Sequence, residues 1–100
     1  MSKIATRLKE LNIELPAAGA PAAAYVMSAQ TGNTLFLSGH IAKKDGKPLV
    51  GKLGLDMTTD EGKGAAKSIA IDLMATMQAH LGNLDRVKRI VKVMSLVNST

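Results

Sequence analysis

The sequence predicts an α+β fold, an antiparallel or mixed sheet backed by helices. Three observations carry that expectation. A Gly32-Asn33 turn separates two runs of strand character, 25–29 and 34–42. A capped amphipathic helix is predicted over 59–81. A valine-rich run, 90–97, alternates as a strand does and is mostly apolar on both faces, as in a strand covered on both sides.

In chain order, residues 2–11 read as a short helix. Ile4, Leu8 and Leu11 fall on one face, Lys3, Arg7, Lys9 and Glu10 fall largely elsewhere, and Ser2 is placed to cap it. Pro16 and the Ala/Gly/Pro stretch up to Ala24 are a linker or loop, so 1–19 is an N-terminal helix with its linker. Tyr25 opens the first strand. After the turn, Thr34, Leu35, Phe36 and Leu37 start the second, which is expected to run on through Ser38-Gly39-His40 to Ile41-Ala42. Those three residues are poor local choices inside an apolar strand, because glycine weakens a strand interior. Binding sites breach local rules in this way. Glycine admits a ligand or another backbone, and Ser38 offers a hydroxyl that both donates and accepts.

Residues 43–54 read as a loop with a tight Asp45-Gly46 turn and a short strand at Pro48-Leu49-Val50. Thr58-Thr59-Asp60-Glu61 is a capping box, and Asp60 and Glu61 suit the positive end of a helix. Ala66, Ile69, Ala70, Leu73, Met77 and Leu81 then form one apolar stripe, and Gly82 stops the helix. Gly62 and Gly64 each cost about 1 kcal/mol against alanine, so the first turn is expected to fray. In 90–97, Val91, Val93, Ser95 and Val97 share one face; Ile90, Lys92, Met94 and Leu96 share the other. Covering both takes more than one helix layer. A neighbouring subunit is the economical cover.

One hundred residues make one domain. The apolar share is 46%, yet Tyr25 and Phe36 are the only aromatics, so aliphatic residues and six methionines must build the core. The absence of cysteine excludes disulfides, thiolate catalysis and thiolate metal sites. No apolar run approaches the ~20 residues of a membrane helix, and the N-terminus lacks a signal-peptide core. A cytoplasmic protein with no membrane partner is expected. The net charge of +5 invites a nucleic-acid reading, but the charge is dispersed. Lys43, Lys44, Lys47 and Lys52 lie in one loop, and Arg86, Lys88, Arg89 and Lys92 lie around the last strand. No aromatics are interleaved for base stacking.

The run Ala20-Pro21-Ala22-Ala23-Ala24-Tyr25, followed by Gly32-Asn33-Thr34-Leu35-Phe36-Leu37-Ser38-Gly39-His40-Ile41, resembles the opening of the YjgF/RidA family, the reactive-intermediate deaminases or endoribonuclease L-PSP-like proteins. That family has Pro-Tyr on its first strand, a Gly-Asn turn, then Ser-Gly-Gln-Ile. The long helix and the valine-rich strand extend the resemblance over 20–100. Ala24 replaces the proline and His40 the glutamine, which marks a divergent branch. The resemblance implies a chorismate-mutase-like sheet backed by helices, a homotrimer with a central barrel, and no cofactor. It also implies a further helix and strands, with an arginine that grips a substrate carboxylate and a glutamate that works with water. Neither has a counterpart in 1–100. Either the chain is a partial form of a protein of about 130–150 residues, or it is a short variant without that arginine.

The substrate-binding candidates are Tyr25, Ser38, Gly39 and His40. Tyr25 resembles the family's pocket tyrosine or is a plain strand tyrosine. Ser38 and Gly39 resemble the pocket floor. His40 is a proton shuttle or, by preference, a hydrogen-bonded interface histidine. His80, near a helix C-terminus, reads as surface. No catalytic residue is assigned. No metal set, phosphate loop or Ser/His/Asp set can be defended from spacing. The resemblance implies hydrolytic deamination of small, carboxylate-bearing enamines or imines in a cleft between subunits. Two other readings stay open: RNA cleavage, or a trimeric metabolite-binding module without catalysis.

Overall fold

The computed structural model describes residues 3–21 and 23–100. The elements run α1 (Lys3–Glu10), β1 (Ser28–Thr31), β2 (Thr34–Leu37), β3 (Lys43–Lys44), β4 (Lys47–Pro48), α2 (Thr59–Leu81) and a 3-10 turn (Leu84–Arg86). Helices and antiparallel strands are segregated, so the class is α+β.

The α1 helix forms as its apolar spacing predicts. The expected cap at Ser2 lies outside the described residues. Its free amides are met from far along the chain: the Asp85 carboxylate accepts from the Lys3 and Ile4 amides, both at 2.8 Å. Asn12 ends the helix at φ 57°, and the Ile13 amide reaches back to the Leu8 carbonyl at 2.9 Å. This is a Schellman stop with asparagine in the left-handed position.

The Gly32-Asn33 turn is where the sequence places it. Thr31 pairs with Thr34, and Gly32 has φ 55° while Asn33 has no positive φ, the pattern of a II′ hairpin turn. The strand limits differ from expectation. The first strand is Ser28–Thr31 rather than 25–29, and Tyr25 lies on a bend before it. The second stops at Leu37 instead of running to Ala42. One further rung survives, the Ser38 amide on the Met27 carbonyl at 2.9 Å. Beyond it the partner chain bends away at residues 23–25, and the ladder has nothing to pair with. The tight Asp45-Gly46 turn is where the sequence places it, and it joins β3 to β4; the strand expected at 48–50 is Lys47–Pro48 instead, paired with Lys43–Lys44. The hairpins remain separate two-stranded sheets, so among the described residues there is no single sheet.

The capping box at the start of α2 is complete: the Thr58 hydroxyl accepts from the Glu61 amide, and Glu61 accepts from the Thr58 amide. The expected fraying does not occur, and the helix is continuous from Thr59. A Cβ on Gly62 would come within 2.8 Å of the Leu53 side chain, so this glycine lets the 53–57 loop close onto the first turn. The packed face also differs from the predicted stripe. It centres on Ala75 and Thr76, more than a third of a turn away. Ala66 and Ala70 of the stripe are exposed; Ile69, Leu73, Met77 and Leu81 are half-buried. Small residues at the contact let helix and hairpin approach, and much of the large apolar surface is left open.

The expected strand 90–97 is not a strand here. Its backbone has no sheet partner among the described residues, and its large apolar residues are open on both faces, from Ile90 at 60% to Leu96 at 91% exposed. The expectation that both faces are covered fails within this chain. The chain is anchored only beyond that run, where Leu53 exchanges backbone bonds with Asn98 and Thr100 at 3.0 and 2.9 Å. Among the described residues, the buried apolar ones are Ala75 and Leu84.

Candidate functional site

Ser38, Gly39 and His40 follow one another where the β1–β2 hairpin ends beside α2, and Tyr25 precedes Val26 on the facing side of the hairpin. The Ser38 hydroxyl donates to the Val26 carbonyl, which closes the end of the hairpin. That hydroxyl is therefore engaged within the fold and keeps only acceptor capacity for a ligand. Gly39 takes no hydrogen-bond partner among the described residues, and a Cβ built on it meets nothing within 4 Å. It is open ground beside a fixed serine. Tyr25 is 43% exposed on its bend, with its amide on the Ala23 carbonyl at 2.8 Å.

His40 is half-buried and held at both ring nitrogens. Nδ1 lies 2.7 Å from the Ser38 carbonyl oxygen, which can only accept, so Nδ1 carries the hydrogen. Nε2 lies 2.8 Å from the Thr76 hydroxyl and, in the neutral ring, accepts from it. Thr76 is 3% exposed. The imidazole is a strut between hairpin and helix. It fits the hydrogen-bonded histidine of the two sequence readings, but its partner is this chain's own helix rather than a neighbouring subunit. The proton-shuttle reading has no free nitrogen to work with.

His80 forms a second strut that the sequence reading missed. It is exposed, as expected, yet its Nε2 donates to Gln30 Oε1 at 2.9 Å and its Nδ1 accepts from the Ser28 hydroxyl at 3.2 Å. Thr76 and His80 are four residues apart and so share a helix face. A β-branched hydroxyl residue and an imidazole at that spacing were the available signal. The seam joins Ser28 and Gln30 of β1, the Ser38–His40 corner and α2. It fixes the wall bearing Gly39.

Two cavities stand out among the described residues. One of about 480 Å³ is lined by Gly54–Thr59 residues and Glu61; one of about 290 Å³ lies between β3 and α2. Neither is lined by Tyr25, Ser38, Gly39 or His40. Tyr25 and Gly39 are exposed, while Ser38 and His40 are half-buried. Among the described residues no three His, Cys, Asp or Glu side chains are grouped to hold a metal ion, and no helix is long and apolar enough to cross a membrane.

A crystal structure described as that of a "putative endoribonuclease" from Shewanella oneidensis MR-1 superposes with a TM-score of 0.82 at 31% sequence identity, over 89% of this chain and 60% of that one. The two share a fold. Over 99 residues the chain is also 46% identical to Protein TCP17 of Trypanosoma cruzi, a match that takes in 98% of this chain and 62% of that protein. The chain thus spans about three fifths of each relative's length. No protein-family model matches it.

Proposed function

We propose that this chain is the greater part of a YjgF/RidA-type protein of a divergent branch. Its Tyr25, Ser38, Gly39 and His40 wall then forms one side of a cleft between subunits of a homotrimer, where small enamines and imines are hydrolysed. The observation that carries the reading is Gly39: an unpartnered, side-chain-free position beside Ser38, on a wall fixed to α2 by His40. A wall without its own cavity needs an opposite side. The open apolar surface at 90–97 offers a place for further chain to supply it.

The chemistry asks little of the wall. Water adds to the electrophilic imine carbon, the carbinolamine collapses, and the C–N bond breaks to leave a keto acid and ammonia. Orientation beside water, with hydrogen bonds to the developing charge, is the service a fixed wall provides. Exposed backbone at Gly39 suits that role. His40 acts as a positioning residue, because both its nitrogens are engaged.

The test uses the complete natural protein and freshly generated 2-aminoacrylate. Ammonia release should accelerate with the protein, and light scattering should give three subunits. A monomer without effect on ammonia release contradicts the reading. RNA cleavage is the second reading, favoured by the description of the structural relative. It predicts RNA cuts with a steep salt dependence instead.

A further inference from the structure

We propose that the β3–β4 hairpin is a docking arm for the phosphodiester backbone of RNA, separate from the Gly39 wall. The proposal builds on the RNA reading but needs no cleavage.

Its basis is a local conflict. Asp45 and Gly46, at φ 54° and 78°, make the tight two-residue turn, and the register places Lys44 directly opposite Lys47. Directly opposed residues share one face of a hairpin, and like charges there are destabilising. A hairpin of two-residue strands has little stability to lose. Among the described residues neither lysine is in an ion pair, the one pair being Arg7 with Glu10 on α1, and Glu61 acts on Lys44 only from beyond contact distance. Of the nearby acids, Asp56 is engaged by the Lys52 amide at 2.6 Å and Glu61 by the Thr58 amide at 3.0 Å. Asp45 sits in the turn itself.

The arm is exposed yet anchored. All four strand residues are open to solvent, while the Leu49 amide closes the base on the Ala42 carbonyl at 2.8 Å. Leu49 then lines the 290 Å³ cavity against Met57 and Ala65 of the helix side. Lys43 precedes the pair and Lys52 follows it along the chain, adding positive charge to this segment. Ammonium groups read phosphate as point charges and carry no base information. The hairpin has no aromatic residue for stacking and no apolar tip for a membrane, which leaves a backbone contact.

The experiment is anisotropy titration of the full natural protein with a fluorescent uridine oligonucleotide of about 12 nucleotides, across about 50 to 200 mM KCl. The parent should bind, with log K falling linearly in log salt. Lys47→Glu should weaken binding roughly tenfold and lower the salt slope by about one. Its melting temperature should hold or rise, because Lys44 then faces an opposite charge. Lys9→Glu, the same charge change on α1, should alter affinity by less than about twofold. Equal losses for Lys47→Glu and Lys9→Glu would reduce the effect to net charge and overturn the proposal. So would a parent that shows no salt-dependent binding, or one that binds anionic vesicles and not RNA. Should Lys47→Glu fail to fold, Lys44→Gln with Lys47→Gln reads the same affinity. Binding without cuts would sink RNA cleavage and leave the docking arm standing.

Discussion

Thr76 is the polar group on which the hairpin-to-helix contact turns. It is buried, and its hydroxyl is the donor to His40 Nε2. Thr76→Val keeps the shape and removes the donor, leaving a half-buried nitrogen without its partner. Urea unfolding should show a loss of about 1–2 kcal/mol; an unchanged midpoint would mean that the strut is idle. A second residue-scale effect is set by pH. The Thr58 amide, then its hydroxyl, hold the Glu61 carboxyl below its ordinary value of 4.5, outweighing slight desolvation, with Lys44 assisting. A carboxylate lowered in the folded state stabilises it fully above its unfolded pKa, and that contribution is lost as pH falls through the folded value. The melting temperature of the parent should therefore exceed that of Glu61→Gln near neutral pH, and the gap should close as pH drops below 4.5. A gap that persists in acid would assign the capping benefit to something other than charge.

At the scale of elements, α1 depends on a single distant carboxylate. Eight residues are too few for a helix to stand alone in water, and the two Asp85 bonds supply both its N-terminal cap and its attachment to the 3-10 turn. Asp85→Ala should release α1, seen as faster amide exchange over residues 3–10 while α2 stays protected. Unchanged exchange would show that apolar contacts alone hold it. Nothing in the first ten residues announces this cap, because its acceptor, the Asp85 carboxylate, lies more than eighty positions away. The elements that were legible carry their own local chemistry: the Gly32-Asn33 turn, the Thr58–Glu61 capping box, the Gly82 stop. Where the outcome depended on distant surfaces, periodicity misled. The stripe through Ala66 and Ala70 reads as the packed face, but the polar Thr76–His80 side meets the hairpin, since imidazole struts fix the rotation of the helix. Residues 90–97 alternate as a strand does, and alternation cannot supply the neighbour a strand needs. For the candidate site, the Ser38-Gly39-His40 breach in an apolar run was visible; the partners that engage Ser38 and His40 were not.

For the whole molecule, the main fact is open apolar surface. Val91, Val93, Met94 and Leu96 are each at least 74% exposed, and the run is far more apolar than a solvated segment requires. We read it as the place where further chain, its own or a neighbour's, completes the fold and the cleft. In the complete protein, amides over 90–97 should then be protected from exchange, and Val93→Lys should dissociate or unfold the assembly, since an unpaired buried charge is costly. Free exchange there would return the run to solvent. The central claim is that the Gly39 wall is one side of a cleft that hydrolyses enamines and imines. It is tested most directly by ammonia release from freshly generated 2-aminoacrylate, comparing the complete parent protein with its Gly39→Val variant. A Cβ at residue 39 meets nothing within 4 Å in this chain, so the variant should melt as the parent does and lose at least about tenfold in rate by filling the substrate's space. Equal rates for the two proteins, or none for either, would contradict the account.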